Sequence, residues 1–408
     1  MNTLQASARS ALEALRSGVP SRHAVEQLGT TQEHIKNQFE TALSALAAGE
    51  SAKPLVLSAT FGGGKSHLLN YLKTVASNQG FVTSLVVVSP EMPLGMPHVI
   101  LKAIAEAAEA PGRTGTATRE LSSDLNTGSQ RFAELRLWAR DAGLDARFPA
   151  MLHLFEEFRA DEELRQKILS DFEGNPIALK DVREKLKELG QAAGYALKAT
   201  KNALLAHDRI RLLAQFYRAC NCKGWVILFD ELERFPEFAA KQRLAAWVEL
   251  GWWEHVANTV GSAILPVFAI VSGNIDKAIQ KDAPSFRTTA SDADIQEREE
   301  FGRRGIALLN SATRILSPTK AQDEQILFNV KTIYEEAYGV SVTGSLARMA
   351  GSSDTIRSEI RRWITHWDLQ RYNPDYTPAI TEDNVSFDDS EIGDDILTGS
   401  EDDGEAVS

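Results

Sequence analysis

Residues 54–66 read PLVLSATFGGGKS, and this stretch decides the fold class of the chain. The apolar run at 54–58 predicts a buried β-strand, and a glycine-rich loop joins it to a helix that begins at Ser66. Ala59 stands where the phosphate-binding pattern GxxxxGK[ST] has its first glycine, and the other positions match. The strand–loop–helix context therefore predicts a loop that surrounds the phosphates of a nucleotide.

The chemistry of this loop depends on its backbone and on two side chains. Glycines let successive N–H groups turn toward one phosphate, and the helix N-terminus adds partial positive charge. We expect Lys65 to reach the β and γ phosphates and the Ser66 hydroxyl to hold Mg²⁺. The predicted nucleotide contacts are Ala59, Thr60, Phe61, Gly62, Gly63, Gly64, Lys65, Ser66 and His67, with packing against the helix as the alternative role of His67.

A second motif follows another apolar run. Residues 226–229 (VILF) predict a buried strand that delivers Asp230 to the carboxyl edge of the sheet, beside the phosphate loop. We expect Asp230 to support the magnesium shell together with Ser66, and Glu231 to act as general base on the attacking water. Glu233 is the next candidate for that base.

The strand predicted at 265–271 also ends in polar residues, SGN at 272–274. A polar side chain at this edge would sense the γ phosphate and place the attacking water. Ser272 and Asn274 both fit this catalytic role, and we select Asn274. The alternative is an ordinary turn at the end of a strand.

The net charge of −12 over 408 residues belongs mainly to one segment. Residues 381–408 hold eleven acidic residues and no basic ones, which leaves 45 acidic and 44 basic residues in the other 380, a net charge of −1. Because this segment is also poor in apolar residues, we expect a solvated, disordered tail. Its acidity does not argue against nucleic-acid binding by the folded part.

Composition excludes several classes of protein. The apolar run at 263–271 is too short to cross a bilayer, and the first ten residues contain no signal-peptide core. The two cysteines, Cys220 and Cys222, cannot build a disulfide framework. We therefore expect a cytoplasmic protein with no membrane segment.

Strands that alternate with helices predict an α/β fold with a parallel sheet. The 165 positions from Lys65 to Asp230 exceed what a helix, a strand and a loop need, so we predict a helical insertion. We also predict a surface loop at 111–130 and a mobile polar segment at 280–294. The predicted units are an N-terminal helical segment near the adenine (1–50), the first half of the core (51–110), the insertion (111–218), the second half of the core (219–316), a helical lid (317–375) and the acidic tail (376–408).

The order of these motifs resembles the AAA+ class of P-loop ATPases, nearest its origin-recognition-like branch. Longer stretches are similar to the BREX phage-defence ATP-binding family of the BrxC/BrxD type. They are ALRSGVPSRHAVEQL (14–28), FGGGKSHLL (61–69), SLVVVSPEMPL (84–94) and FYRACNCKGWVILFDELERF (216–235). DFEGNPIALKDVREKL (171–186) is similar to the family's inserted helical region.

The resemblance implies a Mg²⁺-dependent ATPase with an AAA+-like core, an inserted helical subdomain and a C-terminal helical lid. It implies that Arg22 lies near the adenine and that Arg357 is the nucleotide-sensing arginine of the lid. Arg361 and Arg362 are the alternatives to Arg357. The candidates for an arginine finger that reaches a neighbouring subunit are Arg303, Arg304 and Arg314.

The resemblance also implies partners. These are further copies of the chain, other proteins of the defence system, and double-stranded DNA. Two alternative functions stay open at this point. The chain would be a scaffold that binds ATP without hydrolysing it, or an ATPase that forms filaments on DNA as transposition regulators do.

Overall fold

A five-stranded parallel sheet lies at the centre of the protein. The computed structural model describes residues 3–18, 21–60, 63–271, 273–286, 292–343 and 355–373. The strand order is β2-β3-β4-β1-β5. The strands are β1 (Leu55–Ala59), β2 (Val82–Val87), β3 (Trp225–Asp230), β4 (Ile264–Val271) and β5 (Thr313–Arg314). The prediction of an α/β chain with a parallel sheet is confirmed.

The order of the strands brings the predicted motifs to one edge. β4 lies between β1 and β3, and Ala59 at the end of β1 pairs in register with Val271 at the end of β4. Asp230 ends β3. Because the strands are parallel, the loops that follow all three leave the sheet at its carboxyl edge.

Most of the remaining described residues are helical. The helices before the insertion are α1 (Thr3–Ser17), α2 (Arg22–Leu28), α3 (Glu33–Ala48), α4 (Lys65–Asn78) and α5 (Pro97–Glu106). The next are α6 (Ala117–Ser122), α7 (Gln130–Asp141), α8 (Arg147–Glu157), α9 (Glu162–Phe172), α10 (Leu179–Glu188) and α11 (Ala206–Ala219). The last are α12 (Ala240–Asn258), α13 (Asn274–Asp282), α14 (Ala293–Asn310), α15 (Lys320–Tyr338) and α16 (Ile356–Tyr372).

Both faces of the sheet are covered. In β3, Trp225, Ile227 and Phe229 belong to one hydrophobic core, and Val226 and Leu228 belong to another. This alternation follows from the two-residue period of a strand. The apolar run is continuous because both faces of the sheet are covered. The core on the first face includes residues of α5 to α12, and the core on the second face includes residues of α3 and α4.

A third hydrophobic core lies apart from the sheet. It joins α1 and α2, from the start of the chain, to α15 and α16. The inserted helices, in contrast, share one continuous core with a face of the sheet. The division of the chain into units stays a prediction, and the predicted acidic tail at 376–408 lies outside the described residues.

Two segments predicted to be irregular contain helices. The predicted loop at 111–130 holds α6, and the predicted mobile segment at 280–294 holds the end of α13 and the start of α14. α14 packs on α12 with glycines at the crossing: a Cβ added to Gly251 would lie 1.9 Å from the Phe301 carbonyl oxygen, and one added to Gly305 would lie 2.1 Å from the Trp247 carbonyl oxygen. Glycine has a low helix propensity, so the glycines of α14 weaken the prediction of a helix from the sequence.

Candidate functional site

The phosphate-loop residues and the acidic residues meet at the carboxyl edge of the sheet. The Ser66 hydroxyl donates a 2.8 Å hydrogen bond to Oδ2 of Asp230, whose other carboxylate oxygen accepts the Glu231 N–H at 2.9 Å. Lys65 Nζ lies 3.2 Å from Oε1 of Glu233. The first two residues of α4 are thus each tied to an acidic residue, one at the end of β3 and one just after it.

Glu231 and Glu233 have different surroundings. Glu231 has a positive φ of 55°, and its carboxylate forms a 3.3 Å ion pair with Arg234 in which both side chains are about half exposed. Glu233 is only 14% exposed, its partner Lys65 is 11% exposed, and Oε2 of Glu233 has no hydrogen-bond partner among the described residues. The carboxylate beside the lysine is therefore that of Glu233.

The described part of the loop has the backbone that its glycines allow. Gly63 N–H donates to the Thr60 carbonyl at 3.0 Å, and a Cβ at Gly63 would lie 2.9 Å from that same oxygen. Gly64 precedes α4 with φ +85°, a left-handed conformation that glycine adopts without strain. The predicted contacts Phe61 and Gly62 lie outside the described residues.

A cavity of about 500 Å³ opens beside this loop. Its walls come from four parts of the chain, at 15–32, 59–68, 315–326 and 355–360. Apolar side chains such as Leu28, Leu316 and Ile360 line it, together with the backbone of Gly29, Gly63 and their neighbours. A mainly apolar cavity that opens onto backbone N–H groups suits a flat ring joined to an anionic group.

Comparison with known proteins bears on the first two of these walls. Residues 4–119 match the family model described as BREX system ATP-binding protein BrxC/D. Over this segment the chain is similar to the BrxC/D family. Searches among curated proteins and among solved structures found no match to the chain.

The BrxC/D segment contains the phosphate loop and the cavity wall at 15–32. The acidic residues at 230–233 and the walls at 315–326 and 355–360 lie outside it. The resemblance stated from the sequence is confirmed for the family, and the geometry described above extends the site beyond the matched residues.

His67 lies within the BrxC/D segment and joins two walls of the cavity. Its Nε2–H donates to the Gly29 carbonyl at 2.9 Å, which ties α4 to the turn after α2. Burial lowers the pKa of His67, and the hydrogen bond to Gly29 opposes that shift only in part. His67 therefore lines the cavity as a neutral side chain whose Nε2 is already hydrogen-bonded to the Gly29 carbonyl.

Gln32 makes a similar link that sequence patterns did not reveal. Its side-chain amide accepts the Leu316 N–H and donates to the Leu316 carbonyl, both at 2.9 Å. The side chain is buried and joins the wall at 15–32 to the segment after β5. A contact between residues 284 positions apart leaves no local pattern in the sequence.

The structure places Arg22 away from the cavity. Its guanidinium bonds Glu26 and Asn78, and Asn78 is the last residue of α4, at the end opposite to Lys65. Arg22 is not among the residues that line the cavity, and its predicted position near the adenine stays a prediction. Hydrophobic residues of α1 and α2, rather than an arginine, form that part of the wall.

The lid arginines divide differently. Arg357 lines the cavity at the start of α16, and its role as a nucleotide-sensing residue stays a prediction. Arg361 donates to the Ser17 carbonyl at 2.8 Å, and Arg362 pairs with Glu359 at 3.2 Å. Of these three arginines, Arg357 alone lines the cavity.

Other predicted residues lie at the edge or away from it. Asn274 is the first residue of α13, close to the end of β4. Ser272 and the side chain of Asn274 do not belong to the part of the chain that the structure describes. Of the finger candidates, Arg303 donates to the Phe286 carbonyl at 2.9 Å and Arg304 pairs with Glu300 at 2.6 Å. Arg314 is exposed on β5.

None of the helices in the described part of the chain is both long enough and apolar enough for a bilayer.

Proposed function

We propose that this chain is an AAA+-like P-loop ATPase that binds ATP with Mg²⁺, hydrolyses it to ADP and phosphate, and works in a BREX-type phage-defence assembly. The hydrogen bond from Ser66 to Asp230 carries the proposal. It brings together two motifs that are 164 residues apart, which a glycine-rich turn and an unrelated acidic turn would not require. The family description of the segment 4–119 supports ATP as the nucleotide.

The residues have separate roles in binding. The backbone N–H groups of Gly64 and of the first residues of α4 hold phosphate oxygens, and Lys65 neutralises the β and γ phosphates. The adenine ring occupies the apolar part of the cavity near Leu28 and Ile360. Arg357, on the same helix as Ile360, senses the phosphates as the lid closes.

Ser66 and Asp230 would hold the magnesium ion. Their hydroxyl and carboxylate oxygens, already 2.8 Å apart, are the hard oxygen donors that Mg²⁺ prefers. Bound there, the ion would supply positive charge that offsets the charge on the phosphates. Asp230 is 7% exposed, so its carboxylate is held away from bulk water.

Hydrolysis requires a base and an aligned water. Glu231 accepts the proton of the attacking water, whose oxygen bonds to the γ phosphorus. The bond from that phosphorus to the bridging oxygen breaks, and the oxygen keeps the electron pair as part of ADP. Asn274, at the end of the neighbouring strand, orients the water. For this step Glu231 must leave its exposed contact with Arg234.

The proposal is tested by calorimetry and by a phosphate-release assay. Lys65→Ala should abolish the heat of ATP binding, whereas Lys73→Ala, on the same helix but paired with Glu109, should bind ATP as the parent does. Glu231→Gln should bind ATP and lose hydrolysis by 100-fold or more. Unchanged ATP binding by Lys65→Ala would refute the site.

A non-hydrolysing scaffold is the second candidate function. It is favoured by the contacts that Arg303 and Arg304 make within their own chain, with the Phe286 carbonyl and with Glu300. Steady-state phosphate release by the parent that is no higher than that of a Glu231→Gln control would support the scaffold.

We also propose partners for the ATPase. Further copies of the chain would supply an arginine finger, other proteins of the defence system would respond to the nucleotide state, and double-stranded DNA would bind to the assembly. Sedimentation with ATP tests the first, and co-purification from the native operon tests the second. Phosphate release with and without DNA tests the third, and negative-stain microscopy with ATP and DNA separates it from filament formation.

A further inference from the structure

Lys65 is paired with an acid in the phosphate site. Its ammonium lies 3.2 Å from Oε1 of Glu233, and both side chains are almost fully covered. Lys65 is also the residue that a triphosphate would need. The carboxylate of Glu233 therefore occupies the position on the lysine that a phosphate oxygen would take.

The Lys65–Glu233 pair is not built as a permanent structural ion pair. Only one oxygen of Glu233 has a partner, and Oε2 is buried with no hydrogen bond from the described residues. The buried pair of Arg243 and Asp282 is different, because both oxygens of Asp282 accept from the guanidinium at 2.8 Å and Trp247 adds a third donor. A buried carboxylate with an unsatisfied oxygen is costly, so the Glu233 contact is easier to exchange.

We propose that Glu233 competes with the nucleotide for Lys65, and that this competition sets the affinity of the site and its preference between ATP and ADP. The inference rests on the proposed ATP-binding function. A bound triphosphate and the Glu233 carboxylate share one ammonium, so their oxygens lie within about 6 Å of each other, given ordinary hydrogen-bond lengths. Two anions at that separation in a covered site repel each other.

The competition should be stronger for a nucleotide that carries a γ phosphate than for one that ends at the β phosphate. ATP places an additional charged group beside Lys65, whereas ADP ends at the β phosphate. Removing the negative charge of Glu233 should therefore favour ATP more than ADP. The exposed Glu231 carboxylate, which bonds Arg234, is not part of this effect.

The test uses Glu233→Gln, which keeps an oxygen for Lys65 and removes the charge. Affinities for ADP and for the β,γ-imido analogue of ATP, each with Mg²⁺, are measured by calorimetry on the full chain. We expect the affinity for the analogue to rise about tenfold, and that for ADP to rise by less. Glu237→Gln, in the same turn but exposed, is the matched control and should change neither affinity.

The outcomes separate this inference from the function on which it rests. If the parent binds both nucleotides and Glu233→Gln binds the analogue with equal or lower affinity, competition is excluded while the ATP site stands. An equal gain for ADP and the analogue excludes the preference for the γ phosphate. If the parent binds neither nucleotide, the proposed function fails and the role of Glu233 fails with it. Equal thermal unfolding midpoints of the empty parent and variant show that folding is intact.

Discussion

Single side chains join distant parts of this chain at the carboxyl edge of the sheet. Ser66 meets Asp230, Lys65 meets Glu233, and His67 meets the Gly29 carbonyl. The three residues are consecutive at the start of α4, so one helical turn contacts two distant segments, at 230–233 and at Gly29. The positions of these contacts explain why substitutions within this turn should have distinct effects.

The first prediction at this scale concerns the Ser66 hydroxyl. Ser66→Ala removes the bond to Asp230 and leaves a buried carboxylate oxygen with one donor fewer. We expect a loss of about 1 kcal/mol in the free energy of unfolding and weaker Mg²⁺-dependent ATP binding. Urea denaturation and calorimetry measure the two effects. Ser66→Thr retains the hydroxyl, so equal losses in both variants would contradict the explanation.

The second prediction concerns pH. The pKa of His67 is lowered by burial, so below the unfolded value near 6.5 the unfolded chain binds more protons at this residue than the folded chain does. Its contribution to stability is complete above that pH and is lost as the pH falls toward the folded pKa. Unfolding midpoints at pH 7.5 and 5.5 should differ more in the parent than in His67→Gln, which donates to Gly29 without titrating. Equal differences would rule this out.

At the scale of elements, the closest backbone contact described above is the crossing of α12 and α14. Gly251 and Gly305 let the two helices approach until a Cβ would overlap a carbonyl oxygen. The buried ion pair of Arg243 and Asp282 ties α12 to α13 as well. These contacts hold α13, and with it Asn274, at the end of β4.

The third prediction follows from this crossing. Gly305→Ala should destabilise the fold by about 1–3 kcal/mol or more, because the added methyl meets the backbone of Trp247, which cannot rotate away. Gly194→Ala, where a Cβ meets only the end of Gln191 at 3.6 Å, should change stability by less than about 0.5 kcal/mol. Urea unfolding of both variants checks the contrast, and similar losses would contradict it.

The elements differ in how far their sequence predicts them. β1, β3 and β4 have apolar runs that end at polar residues, so their positions follow from hydrophobic pattern alone. α14 has glycines on its packed face and charged residues elsewhere, so it lacks the apolar stripe that predicts a buried helix. Only its tertiary contact with α12 shows why it packs there.

The site divides in the same way. The Lys65–Ser66 motif and the Asp230 position follow from local spacing and from the rule that parallel strands end together. The links made by Gln32 and Glu233 do not, because each depends on which of several neighbouring polar side chains turns inward. The side-chain contacts of Arg22 with Glu26 and Asn78 were likewise not predictable from local pattern.

At the scale of the molecule, the cavity lies between two bodies of packed residues. The loop after β1 follows a strand of the sheet, whereas Leu15, Ala24 and Ile360 belong to the third hydrophobic core or pack against it. A ligand in this cavity contacts both bodies. Its binding free energy should therefore add to the stability of the folded chain.

The fourth prediction tests that coupling. ATP with Mg²⁺ at 100 times its Kd should raise the free energy of unfolding by about 2.7 kcal/mol and raise the unfolding midpoint. Lys65→Ala should show no such rise at the same concentrations. A nucleotide-dependent rise in Lys65→Ala equal to that of the parent would place the binding site elsewhere.

The walls of the cavity are also separated in time during synthesis. The segments at 15–32 and 59–68 leave the ribosome long before the segment at 355–360, which also lines the cavity. At roughly 5–20 residues per second, translation of the intervening chain takes tens of seconds. A growing polypeptide therefore displays its phosphate loop before α16, the helix that carries Arg357, has been made. The cavity is completed only when translation has passed α16.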